Sequence, residues 1–85
     1  MEKKVIILND QGLHARPAGI LVKAASQFKS AVEIKTDKKA ANAKSLMSVM
    51  GLGLVKGSEI TISATGEDEV TALETLVTLI NSKFA

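Results

Sequence analysis

Six consecutive residues, Glu59-Ile60-Thr61-Ile62-Ser63-Ala64, alternate polar and apolar without a break. Successive side chains of a strand point to opposite faces, so this run sets Ile60, Ile62 and Ala64 on one face and polar groups on the other. Such a strand belongs to a sheet that buries one face under helices. Val32-Glu33-Ile34-Lys35-Thr36 repeats the pattern and predicts a second strand of the same kind.

Two other segments carry helical spacing. Ala18, Leu21, Ala25 and Phe28, flanked by Val22 and Ala24, recur at steps of three and four after Pro17, the only proline. Proline is favoured at the first helical position, where its missing N–H has no intrahelical partner, so a helix is predicted from Pro17 to about Lys29. Leu73, Leu76, Val77, Ile80 and Phe84 form the stripe of a second long helix, opened by Gly66-Glu67-Asp68-Glu69 and carrying Lys83 in its last turn. Acid at the start and base at the end both suit the helix dipole.

Between these lie shorter elements. Lys4 to Leu8 is a β-prone run ending at the loop Asn9-Asp10-Gln11-Gly12. A turn at Asp37-Lys38-Lys39 leads to a weak strand near Ala40 to Ala43, weak because alanine is a poor strand former. Lys44 to Gly51 reads as a short helix with Ser45 as its N-cap and glycines at its end. The order is βαββαβα, an α+β two-layer sandwich. Residues 1–85 read as one domain, with no repeat, linker composition or low-complexity segment. Pattern alone leaves several topologies open, ferredoxin-like ones included.

Composition removes several function classes. Nearly half of the 85 residues are apolar, enough for one packed core. There is no cysteine, which excludes disulfides and thiolate metal sites and fits a reducing compartment. With a single histidine, a zinc site of the usual kind cannot be assembled. The apolar run Val5 to Leu8 is too short for a signal-peptide core or a membrane span, so a cytoplasmic protein without membrane insertion is expected. Net charge is only +2 and the charges are interspersed. Small sheets that read single-stranded nucleic acid carry aromatic residues on a strand face, whereas Phe28 and Phe84, the only aromatics, fall at the ends of helical stripes and are read as core. No nucleic-acid partner is expected.

The chemistry concentrates at His14, which precedes Ala15, Arg16 and Pro17 at the predicted helix start. First-turn N–H groups lack intrahelical acceptors and carry the positive end of the dipole, which makes a small anion site near Arg16, Pro17 and Ala18. An imidazole is a nucleophile near neutral pH, and a guanidinium grips a phosphoryl group with two parallel hydrogen bonds. On spacing alone, a lone histidine at a helix start also fits a cap or a solvent-facing residue.

The string Asn9-Asp10-Gln11-Gly12-Leu13-His14-Ala15-Arg16-Pro17-Ala18 resembles the active-site segment of the HPr family, the histidine-containing phosphocarriers of the bacterial sugar phosphotransferase system. Asn42-Ala43-Lys44-Ser45-Leu46-Met47-Ser48-Val49-Met50-Gly51-Leu52-Gly53 resembles that family's second signature. The chain differs from many relatives in having Ser48 and Gly51 where they have glycine and serine. The resemblance implies a four-stranded antiparallel sheet in the order 1-4-2-3 with three helices on one side. It also implies a monomeric carrier without cofactor, loaded at His14 by phosphorylated enzyme I and unloaded to the IIA domains of sugar permeases. Arg16 would act beside His14, and Ser45 would be a regulatory phosphorylation site. Leu46, Met47 and Met50 would be the docking surface, although their spacing equally suits core positions. Further implied partners are a serine kinase/phosphorylase and a catabolite-control transcription factor. A regulatory phosphorelay and a non-catalytic ferredoxin-like binding module are the alternatives.

Overall fold

The structure is a computed structural model that describes residues 1–10 and 12–84. Its elements follow the predicted order: β1 (Glu2–Ile6), α1 (Ala15–Ala25), β2 (Ala31–Lys35), β3 (Ala40–Asn42), α2 (Leu46–Met50), β4 (Glu59–Thr65) and α3 (Glu69–Asn81). Gln11, part of the predicted loop, lies outside the described residues.

The strands form one sheet in the order β1-β4-β2-β3, with every pair antiparallel. Because β1 and β2 each run antiparallel to β4, they are parallel to each other with β4 between them. The same holds for β3 and β4 about β2. The chain is thus two interleaved β-α-β crossovers, carried by α1 and α2, and a final helix. Val5, Val32, Ile34, Ile60, Ile62 and Ala64 line the covered face and are all buried. Against them pack Ala18, Leu21 and Ala25 of α1, Val49 of α2, and Ala72, Leu73, Leu76, Val77 and Ile80 of α3. Each of the large side chains contributes about 1.5–3 kcal/mol of burial.

Several boundaries differ from the sequence reading: β1 spans Glu2–Ile6 rather than Lys4 to Leu8, β2 starts at Ala31, α2 is confined to Leu46–Met50, and both long helices end differently. Helix α1 starts at Ala15, so Pro17 is its third residue, still a position whose N–H has no intrahelical partner. It ends at Ala25 rather than Lys29: Gln27 and Phe28 donate to the carbonyls of Ala24 and Ala25, three residues back, which tightens the chain out of the α form. Phe28 packs half-buried against the core from this turn. At the other end, Lys83 lies beyond α3 rather than in its last turn. Its N–H donates to Ile80 and that of Phe84 to Leu79, at 3.0 and 2.9 Å, with Lys83 at φ 60°. This is a Schellman ending with lysine where glycine is usual. Phe84 therefore reaches the core from a left-handed turn and not from the helical stripe.

These connections decide what meets at each end of the sheet. Helices α1 and α2 lie antiparallel: the Lys44 ammonium before α2 donates to the Phe28 carbonyl after α1 at 2.7 Å, and the Leu13 N–H before α1 donates to Leu54 after α2 at 3.1 Å. The N-terminus of α1, the segment from α2 to β4 and the end of α3 therefore converge at one end. Ser45 stands at the start of α2, the opposite end of that helix pair.

Candidate functional site

Hydrogen bonds fix the path from β1 to α1 at Ile7, Asn9, Gly12 and Leu13. Ile7, fully buried, donates to Ser58 and accepts from Gly57. Asn9 then turns the chain, its carbonyl accepting from the Gly12 N–H at 3.1 Å and its side-chain amide donating to the Gly12 carbonyl at 2.6 Å. Gly12 has φ 62°, and a Cβ there would collide with the Leu54 carbonyl oxygen and lie 2.7 Å from the Val55 Cα. Only glycine allows this approach. Leu13 is buried next to it, and His14 follows.

His14 occupies the N-cap position of α1, with extended backbone, and its carbonyl accepts the Ala18 N–H at 2.9 Å. Its side chain is exposed and makes no capping hydrogen bond. The imidazole is thus not a helix cap; it stands in solvent at the positive end of α1. Arg16 is also exposed and takes part in none of the ion pairs formed among the described residues. The first turn of α1 contains no acidic residue. The acid nearest in sequence, Asp10, is engaged by Lys56 at 3.0 Å, whose hydrogen bond and charge hold the Asp10 carboxyl below its usual range.

Fewer first-turn amides are free than the sequence reading of Arg16, Pro17 and Ala18 assumed. Pro17 has no N–H and is buried, and the amide of fully buried Ala18 is committed to the His14 carbonyl. The first-turn amides without an intrahelical acceptor are those of Ala15 and Arg16. Beside them, Asn9, Arg16, Pro17, Ile20, Lys83 and Phe84 line a hollow of about 200 Å³. Ile20, Lys83 and Phe84 were not singled out from sequence as part of this region. Asn9 entered only as the first residue of the motif string and of its turn, without a role for its side chain.

The second motif behaves differently from a core helix. Ser45 is the N-cap of α2, its Oγ accepting from the Ser48 N–H at 3.4 Å. Val49 alone is buried, whereas Leu46, Met47 and Met50 are 42%, 82% and 40% exposed. The core alternative for these three is thereby removed. Among the described residues no group of three potential metal ligands occurs, and no helix is long and apolar enough to cross a membrane.

Comparison with known proteins agrees with this arrangement. Residues 1–82 match the family model described as "PTS HPr component phosphorylation site". The phosphocarrier protein HPr of Lysinibacillus sphaericus is 50% identical over 74 residues, covering 87% of this chain and 84% of that protein. That of Treponema pallidum is 44% identical over 82 residues, covering 96% and 93%. The crystal structure of HPr-C-His from Thermoanaerobacter tengcongensis superposes with a TM-score of 0.96 at 46% identity, covering 99% of this chain and 94% of that one. With its sheet order, its exposed histidine at a helix N-terminus and these matches, the chain belongs to the HPr family of phosphocarriers of the phosphotransferase system.

Proposed function

We propose that His14 is the phosphoryl acceptor and donor of this carrier, loaded by phosphorylated enzyme I and unloaded to IIA domains of sugar permeases. The observation that carries this reading is the position of His14: an N-cap residue whose imidazole is exposed and not spent on capping. In the loading step Nδ1 of the neutral ring attacks phosphorus as the donor's bond to phosphorus breaks, so no water enters and the high-energy linkage is conserved. The amides of Ala15 and Arg16, the dipole of α1 and the Arg16 guanidinium stabilise the charge of the phosphoryl group. Because both His14 and Arg16 are solvent-exposed, the group is held weakly enough to leave again.

Leu46, Met47 and Met50 form the docking surface for both partners. Methionine side chains are flexible and polarizable, which suits a surface that must fit more than one protein. Ser45, at the rim of that surface, is a regulatory phosphorylation site in this reading: a phosphate there adds about 1.5–2 negative charges without disturbing the N-terminus of α2. The test is incubation with enzyme I and phosphoenolpyruvate, then addition of an unphosphorylated IIA domain. Acid-labile phosphate is expected first on this chain and then on the IIA domain. Phosphate that never leaves the chain would contradict the carrier role.

A further inference from the structure

The peptide plane between Gly12 and Leu13, immediately before His14, is held at both ends. Its carbonyl accepts from the Asn9 side-chain amide at 2.6 Å, and its N–H donates to the Leu54 carbonyl at 3.1 Å. A peptide unit is planar, so fixing both its polar ends fixes its rotation and the direction in which the chain leaves Leu13. Leu54 is a backbone acceptor that any residue would supply. The grip on the other end depends on one side chain, that of Asn9.

Asn9 is only 9% exposed, so its amide is held in place among buried neighbours. An apolar residue of similar size at this position would leave the Gly12 carbonyl, itself buried, without its side-chain donor. Gly12, with φ 62° and no side chain, has the backbone freedom to let the plane rotate once that donor is lost.

We infer that Asn9 is a positioning residue for phosphoryl transfer: by holding the Gly12 carbonyl it sets where the backbone delivers the His14 imidazole relative to the first turn of α1. This rests on the reading of His14 as the phosphoryl acceptor. Asn9 touches no reacting atom. Its effect runs through the Gly12–Leu13 plane, and it belongs to the rate of transfer rather than to partner binding, because the docking residues lie on α2.

The experiment is steady-state loading by enzyme I and phosphoenolpyruvate, with wild type, Asn9→Ala and Asn9→Asp as substrates at a temperature where circular dichroism shows each folded. Asn9→Asp keeps the size and removes the donor, so it decides the matter should Asn9→Ala fold poorly. Displacement of a reacting group by about 1 Å costs up to about 100-fold in rate, so the maximal loading rate of both variants is expected to fall about tenfold or more, with KM within about twofold of wild type. Wild-type maximal rates in a folded variant, or a change confined to KM, would overturn the inference while leaving His14 as acceptor. Absence of loading on the wild-type chain would instead overturn the reading of His14 itself, and this inference with it.

Discussion

Asp68 is tied to Ser30, 38 residues earlier in the chain: its carboxylate accepts from the Ser30 N–H at 2.9 Å and from the Ser30 hydroxyl, and a third hydrogen bond comes from the Lys29 N–H at 2.9 Å. Asp68 stands at the N-cap of α3 but makes no side-chain cap there. It closes instead the turn between α1 and β2, and so fastens two of the three helices at the end of the sheet away from His14. Gly66 makes the approach possible, since a Cβ on it would lie 2.7 Å from the Ser30 Cα.

This contact makes stability depend on acid. The Ser30 hydroxyl hydrogen bond, followed by the backbone bonds from Lys29 and Ser30, lowers the Asp68 pKa from 3.8 to about 2. Between those values the unfolded chain binds more protons than the folded one, so stability rises with pH. The contribution is complete above about pH 4 and disappears as pH falls through about 2. Thermal melts from pH 2 to pH 6 should show Asp68→Asn with a lower midpoint than wild type at pH 6 and a flatter acid limb, the two curves converging toward pH 2. Parallel curves across that range would show that the carboxylate does not carry the effect.

Two glycines should respond to alanine with opposite sign. At Gly12 the left-handed φ alone costs an alanine about 1–2 kcal/mol, and its Cβ would collide with the backbone of Leu54 and Val55. At about 4–8 °C per kcal/mol, Gly12→Ala should lower the melting midpoint by about 10 °C and slow loading of His14. Gly19 lies inside α1, and a Cβ added there would meet nothing within 4 Å, so Gly19→Ala should raise stability by about 0.5–1 kcal/mol. Calorimetry of the two variants checks both.

The docking role proposed for the exposed face of α2 can be tested apart from folding. Met47 is 82% exposed, so Met47→Ala should change stability by no more than about 0.5 kcal/mol while raising KM for enzyme I. Ser45→Asp should also leave α2 intact and reduce loading by like-charge repulsion, since the partner face that complements Arg16 and Lys44 is expected to be acidic. Exposed charges are screened over about 10 Å at 0.1 M ionic strength, so that reduction should shrink as salt rises. A deficit independent of salt would place the effect of Ser45→Asp elsewhere.

Arg16 tests geometry against charge. Arg16→Lys keeps the positive charge but loses the planar fork, and the exposed side chain contributes little to the fold. Transfer from phosphorylated His14 to a IIA domain should slow about tenfold or more with an unchanged melting midpoint. Equal rates for lysine and arginine would reduce the role of Arg16 to a point charge.

What the sequence disclosed follows the range of the forces involved. Alternation placed β4 because Ile60, Ile62 and Ala64 all face the helices, and pairing with Ala31 carries the strand one residue further, to Thr65. The weak β3 exists because β2 pairs with it and the Thr36 side chain closes the turn at Lys39, neither of which alanine propensity reports. The start of α1 shifted because proline fits anywhere in a first turn. Its end was hidden because Asp68, far along the chain, captures Lys29 and Ser30. His14 and Arg16 were legible from a local string, whereas the Asn9 side-chain grip and the approach of Lys83 and Phe84 arise only once three chain segments meet.

The central claim is that His14 carries the phosphoryl group, and intact-mass measurement of the wild-type chain and His14→Ala after incubation with enzyme I and phosphoenolpyruvate tests it most directly. His14 is exposed and outside the core, so the variant should melt within a few degrees of wild type, about 1 kcal/mol or less. The wild-type chain should gain the mass of one phosphoryl group, lost again in acid, and folded His14→Ala should gain none. An acid-labile phosphoryl group on His14→Ala, or none on the wild-type chain, would contradict the account.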